Sequence, residues 1–154
     1  MKTKIFASFP GTGKSYYVAN LAVDIKAVDL DSNDYTYGYD QKGNALNNAF
    51  PGNYFASIIQ VLGECDFLFV GCQPKVLNLL LEEDLPVTLI YPERQLKDEY
   101  LERFKKRGDS KVFIDLMDKN WDKFLDYLEA QNCERIVLAR DQHISEVINL
   151  EYFY

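Results

Sequence analysis

Gly11-Thr12-Gly13-Lys14-Ser15, entered through Ser8-Phe9-Pro10, is a stretch of this 154-residue chain whose residue types and spacing point directly at chemistry. The apolar run Ile5-Phe6-Ala7 leads into it, and the helical pattern Tyr17, Val18, Leu21, Ala22 and Ile25 follows. A strand, a glycine-containing turn ending in Gly-Lys-Ser and then a helix form a cradle for polyphosphate. The first N–H groups of a helix have no partner inside it, and the helix dipole there favours anions. Pro10, Gly11, Thr12, Gly13, Lys14, Ser15 and Tyr16 are therefore the expected nucleotide-binding residues. Lys14 is placed to reach the β- and γ-phosphates of ATP, and the Ser15 hydroxyl to take one position on Mg²⁺. Ser8 stands where such loops usually begin with glycine.

Phosphoryl transfer needs alignment and positive charge around the oxygens of the moving group more than it needs covalent help. Arg94, Arg103 and Arg107 are the candidates, because guanidinium makes paired hydrogen bonds to phosphate. Two readings stand side by side: these arginines contact phosphate, or they balance Glu93, Asp98, Glu99 and Glu102 along a surface helix. Asp29 and Asp31 alternate with apolar residues in Val28-Asp29-Leu30-Asp31, which puts both carboxylates on one side of a strand. They either support the metal and the acceptor or cap the turn before Ser32. Gln73 could read a base edge or a phosphate. His143, the single histidine, fits a surface place near a helix start, and Cys72 fits packing. Tyr35, Tyr37, Tyr39 and Tyr54 either stack on a nucleobase or pack.

The elements that position these residues follow from periodicity. Lys2 to Ala7 reads as a buried strand, Lys14 to about Ala27 as a helix, and Val28 to Asp31 as a second strand. Residues 32–52 are polar and tyrosine-rich without a period, a length of connection that usually carries function. Helical spacing of Tyr54, Phe55, Ile58, Ile59 and Leu62 follows a cap at Asn53 and stops at Gly63. Phe67-Leu68-Phe69-Val70 is a strand covered on both faces. Pro74 opens a helix with Val76, Leu77, Leu80 and Leu81 on its apolar face. Pro86 to Tyr91 is the fourth strand. Leu96 to Arg107 is a helix closed by Gly108, with Arg103 and Arg107 beside its apolar stripe. A short segment, Val112 to Met117, precedes a helix capped by Asn120 that buries Trp121, Phe124, Leu125 and Leu128. Arg135 to Ala139 is the fifth strand, and Ile144, Val147 and Ile148 mark a last short helix. Strands alternating with helices give a parallel sheet covered on both faces, with ligands at the carboxyl ends of its strands.

Composition narrows the setting. A net charge of −7 argues against nucleic-acid partners, whose phosphates attract basic surfaces. Cys65, Cys72 and Cys133 are odd in number and lack metal-ligand spacing, so a reducing, cytoplasmic compartment is expected. Neither a leader nor a membrane-length apolar run is read in the chain, so no membrane partner is expected.

With these motifs in place, the chain resembles the small P-loop kinases of nucleoside monophosphates. Tyr91-Pro92-Glu93-Arg94, Lys97-Asp98-Glu99-Tyr100, Glu102 through Gly108 and Asn120-Trp121 look like nucleotide-kinase-like proteins of bacteriophages and bacteria. The resemblance implies an α/β, three-layer P-loop NTPase fold of one domain, residues 1–154, with a five-stranded parallel sheet in the order 2-3-1-4-5. It also implies an acceptor-binding insert at about residues 32–62 and a lid at about 93–119. On the family's pattern Lys14 and Ser15 match the P-loop lysine and metal-side hydroxyl, and Arg94, Arg103 and Arg107 are candidates for catalytic lid arginines. ATP and Mg²⁺ are the implied cofactors, and a nucleoside or deoxynucleoside monophosphate is the implied acceptor. A cytoplasmic location follows, that of a host if the chain is virus-encoded. The Asp29-x-Asp31 pair is also similar to the motif of shikimate-type kinases, in which one acid supports metal and the other holds a hydroxyl metabolite. A nucleotide-binding accessory protein with little transferase activity is the reading from outside the enzymes.

Overall fold

The computed structural model describes residues 2–21, 24–32, 35 and 49–148. Strands β1 (Lys4–Ser8), β2 (Ala27–Asp29), β3 (Phe67–Gly71), β4 (Val87–Pro92) and β5 (Glu134–Leu138) form one sheet in the order β2-β3-β1-β4-β5. All of its pairings are parallel. Among the described residues the helices are α1 (Lys14–Ala19), α2 (Gly52–Val61), α3 (Pro74–Glu82), α4 (Lys97–Lys106), α5 (Lys111–Glu129) and α6 (Ile144–Val147). A single 3₁₀ turn, Arg94–Leu96, links β4 to α4. The strand order is the one the resemblance implied.

The sheet is covered on both faces because its central strands have apolar residues at nearly every position. In β1 the alternation sends Ile5 and Ala7, with Phe9 beyond the strand end, into one cluster with residues of α2 to α5. Phe6 goes the other way, into a smaller cluster with Tyr17, Phe69, Leu138 and Ile144. Phe9, the first residue after β1, is the pivot of the larger core. Its ring lies 6.0 Å from Tyr100, 5.4 Å from Trp121 and 5.1 Å from Phe124. The loop that follows is thus fixed at its entry by packing, and its Phe9 N–H adds a 2.8 Å bond to the Ile90 carbonyl.

Besides β2, which ends at Asp29 and not at Asp31, three elements differ from their sequence reading. Helix α1 stops at Ala19 and does not run to residue 27. The Asn20 side chain turns back to donate to the Tyr16 carbonyl at 2.8 Å, a local bond that competes with helical propagation. Residues 111–129 form one continuous helix, capped by the Ser110 hydroxyl, which accepts from the Phe113 N–H at 3.1 Å. Asn120 lies inside that helix and bonds the Leu116 carbonyl. The third is Asn53, which sits within the first turn of α2, where its amide donates to the Tyr35 carbonyl at 3.0 Å. Among the described residues no helix is long and apolar enough to cross a membrane.

Candidate active site

The loop between β1 and α1 takes its shape from two positive-φ glycines, Gly11 at 80° and Gly13 at 89°, in the backbone region that side chains disfavour. Both glycines also meet close neighbours. A Cβ on Gly11 would stand 3.0 Å from the Phe104 ring, and one on Gly13 would stand 3.3 Å from His143. The Thr12 hydroxyl closes the turn by donating to the Phe9 carbonyl at 2.8 Å. Ser8 is buried, its hydroxyl without a protein partner.

Asp29, at the end of β2, meets both functional side chains of the loop. Its Oδ1 pairs with Lys14 Nζ at 3.4 Å, and its Oδ2 accepts from the Ser15 hydroxyl at 3.1 Å. Asp31 lies two residues on, past the strand end and exposed. No acid follows β3; Gln73 stands there and donates to the Ser32 hydroxyl at 2.6 Å, while its carbonyl oxygen is buried without a hydrogen bond. The Gln73 side chain occupies the space over Gly71 that any Cβ there would need.

Tyr54 joins the ends of β2 and β3. Its hydroxyl donates to the Leu30 carbonyl at 2.6 Å and accepts from the Gly71 N–H at 3.2 Å. Burial pushes this phenol above its ordinary range. The ring is fully buried between Tyr35 and Phe50, so Tyr54 is a packing residue and has no face left for a nucleobase. Tyr37 and Tyr39 lie outside the described residues. Tyr16, by contrast, is 65% exposed immediately after Ser15.

The three arginines separate. Arg94 faces away from the loop, onto α5, where it bonds Asp122, Asp126 and Glu129 at 3.1, 2.6 and 3.1 Å. Those three carboxylates raise its pKa further, and they account for its guanidinium without any phosphate. Arg103 lies against the loop itself. Its Nη1 donates to the Gly11 carbonyl at 2.8 Å and its Nη2 to the Gln142 carbonyl at 3.0 Å. Glu99 pairs with it at 3.6 Å, and the guanidinium stacks 4.3 Å from the centre of the Tyr100 ring. Arg107, at the end of α4, pairs with Asp109 and lies 5.2 Å over the Phe104 ring, the same ring that abuts Gly11.

Residues 93–119, expected as a lid, take in the 3₁₀ turn, α4 and the start of α5. Tyr100 and Phe104 hold α4 in the core, and burial raises the Tyr100 phenol to about 12. What projects is the turn of Arg107 to Ser110 and the start of α5, which exposes Val112 and Leu116.

The β5–α6 turn completes the site's second wall. The Asp141 N–H donates to Glu99 Oε1 at 2.8 Å, and the Ile144 N–H donates to the Thr12 carbonyl at 2.9 Å. His143 caps α6 in a reciprocal arrangement with Glu146. Cys72 is buried, and that burial pushes its thiol up to about 12. Gln142 escaped the sequence reading, and Glu99 entered it only as one of the acids that balance the arginines, a role its pairing with Arg103 fits. The spacing of Glu99 and Arg103, four apart on one helix, was the only signal for that pairing.

No protein-family model matches the sequence, and no curated protein does. Among solved structures, 13 chains match. One is a gluconokinase from Sinorhizobium meliloti 1021, with a TM-score of 0.52 at 14% identity over 95% of this chain and 86% of that one. The chain has the α/β fold of the P-loop kinases, with the loop, Asp29 and the β5–α6 turn on one edge of its sheet.

Proposed function

We propose that the chain is a phosphotransferase that moves the γ-phosphoryl group of Mg-ATP to a small acceptor seated over the ends of β2 and β3. The observation that carries this reading is Asp29, which engages Lys14 at 3.4 Å and the Ser15 hydroxyl at 3.1 Å. The two side chains suited to phosphate and metal thus share one carboxylate. The oxygens of Ser15 and Asp29 suit Mg²⁺, a hard cation that keeps several waters and is held by one or two carboxylates plus phosphates. Among the described residues no cluster of three His, Cys, Asp or Glu side chains forms a cage for a metal on its own. Held by Ser15 and Asp29 with the nucleotide, Mg²⁺ would supply positive charge that offsets the charge of the phosphates.

The protein's own residues then do the following. Lys14 leaves Asp29 for the β- and γ-oxygens. The loop N–H groups hold the phosphates. Arg107, on the projecting turn after α4, exchanges Asp109 for the transferring group and excludes water as the turn closes. Arg94 takes no part.

Two acceptor classes enter. A nucleoside monophosphate is what the sequence resemblance implies. An acceptor with a hydroxyl and no phosphate is favoured by charge. At the carboxyl end of β2 stand Asp29 and, two residues on, the exposed Asp31. A phosphate dianion would be repelled there. A hydroxyl would instead find Asp31 to take its proton as its oxygen bonds to the γ-phosphorus and the bridging oxygen leaves with ADP. The solved neighbour's name, gluconokinase, is in keeping with a hydroxyl acceptor.

The test is ATP consumption screened against nucleoside and deoxynucleoside monophosphates, nucleosides, and polyhydroxy acids. Turnover with a hydroxyl acceptor is expected. Turnover confined to monophosphates would overturn the acceptor assignment. Mg-ATP binding without turnover on any acceptor would favour the accessory protein.

A further inference from the structure

We propose that Arg103 is a positioning residue that shapes the phosphate nest through the loop backbone, without touching phosphate. The inference rests on reading the loop as a phosphate site, and it concerns how that site is built before any ligand arrives.

The argument starts with the peptide unit. A trans peptide is planar, and its C=O and N–H point in opposite directions. The Gly11 carbonyl is bound by Arg103 Nη1 at 2.8 Å, and the Thr12 carbonyl by the Ile144 N–H at 2.9 Å. Two consecutive peptides are therefore pinned by their carbonyls, which aims the N–H groups of Thr12 and Gly13 the other way. Gly11 and Gly13, which flank the buried Thr12, are both partly exposed. Tyr100 and Phe104, both fully buried, lie under Gly11 on the Arg103 side. Among the described residues the N–H groups of Thr12 and Gly13 make no hydrogen bond. Successive N–H groups held in one direction make an anion-binding concavity, and donors fixed before reaction need no reorganisation during it.

Arg103 is suited to this task and committed to it. Its fork spans two carbonyls, those of Gly11 and Gln142, on two different loops. Its charge is balanced by Glu99, and its side chain is only 14% exposed. Glu99 in turn holds the Asp141 N–H, at a residue whose φ is 61°. One ion pair on α4 thereby ties the loop to the β5–α6 turn. A guanidinium that left to meet phosphate would abandon both carbonyls and its stack on Tyr100.

The test uses ligand-free protein and inorganic tripolyphosphate. Backbone ¹⁵N relaxation of Gly11, Thr12 and Gly13 is measured in wild type, Arg103→Gln and Arg103→Lys, and tripolyphosphate affinity is measured by calorimetry. The expected result is a loop that is rigid in wild type, with order parameters of about 0.85, and that falls below about 0.6 in Arg103→Gln without any ligand. Tripolyphosphate binding should weaken at least tenfold in parallel. Arg103→Lys should fall between, because an ammonium can bond the Gly11 carbonyl but cannot span both. Arg103→Gln with a wild-type ligand-free loop and weakened tripolyphosphate binding would mean direct phosphate contact, and would overturn the proposal. If Arg103→Gln does not fold, Arg103→Lys decides: wild-type loop order and affinity there overturn it equally. Wild-type protein that fails to bind tripolyphosphate would instead refute the phosphate reading of the loop, while the relaxation comparison still reports on the brace.

Discussion

Replacing Asp29 with Asn should shift ATP affinity in opposite directions with and without Mg²⁺. In the structure Asp29 holds Lys14 at 3.4 Å, with the two side chains 20% and 25% exposed. The bare attraction at that distance is about 5 kcal/mol at an effective dielectric of ~20, but desolvation and lost side-chain freedom reduce the measured worth of such pairs to ~0.2–1 kcal/mol. That is the cost of withdrawing Lys14 onto phosphate. The Asn variant no longer imposes it, so magnesium-free ATP should bind about 1.4- to 5-fold more tightly. Mg-ATP should do the reverse. It loses a charge-assisted hydrogen bond of ~1.5–3 kcal/mol between the carboxylate and the hydrated metal, a weakening of about 10- to 150-fold. Calorimetric titration of both proteins with ATP in chelator and with Mg-ATP reads both shifts. Equal changes in the same direction would refute the assignment of Asp29 as the carboxylate shared by Lys14 and the metal.

Other outcomes follow from single contacts. Tyr54→Phe leaves the Leu30 carbonyl and the Gly71 N–H unpaired in a buried place, for about 2–4 kcal/mol and a Tm lower by roughly 4–16 °C in thermal melts; an unchanged Tm would remove this tie between β2 and β3. Gly13→Ala forces a side chain to φ 89° beside His143; it should cost about 1–2 kcal/mol in urea unfolding and abolish calorimetric binding of tripolyphosphate, so wild-type binding would contradict the loop geometry. Stability should decline at alkaline pH. Folding raises Cys72 from 9.0 and Tyr100 from 10.0, each to about 12, so the unfolded chain loses protons first as pH rises. The stability these groups contribute is complete below pH ~9 and lost toward pH ~12, at about 1.4 kcal/mol per pH unit for each group within its window; equal urea midpoints at pH 8 and pH 10.5 would oppose this.

The parts of the fold legible in the sequence were those encoded locally. Phe67 to Val70 reads as a doubly covered strand from its composition alone, and Gly11 to Ser15 declares its turn by its glycines. Tertiary pairing was not legible. Arg94 stands beside acids close to it in sequence, yet its partners are Asp122, Asp126 and Glu129, some thirty residues on, which no local period reveals. The first half of α5 hid for a related reason. Val112 and Leu116 are exposed there, and they blur the stripe of Phe113, Ile114 and Met117 that packs on the core. The sequence places Arg103 beside the apolar stripe of its helix, but its partners are backbone carbonyls, which every residue carries and no residue advertises. Asp29 was legible because strand alternation fixes its side, whereas its choice over Asp31 depends on where β2 ends.

The central claim, that Lys14 carries phosphate charge during transfer, is tested most directly by single-turnover transfer from Mg-ATP. Wild type and Lys14→Ala are compared by ³¹P NMR, with the best acceptor from the screen and folding checked by thermal melt. The account predicts a rate at least ~10²-fold lower in Lys14→Ala, because an ammonium on the β- and γ-oxygens stabilises the charge that develops there. A folded Lys14→Ala protein that transfers at the wild-type rate would contradict it.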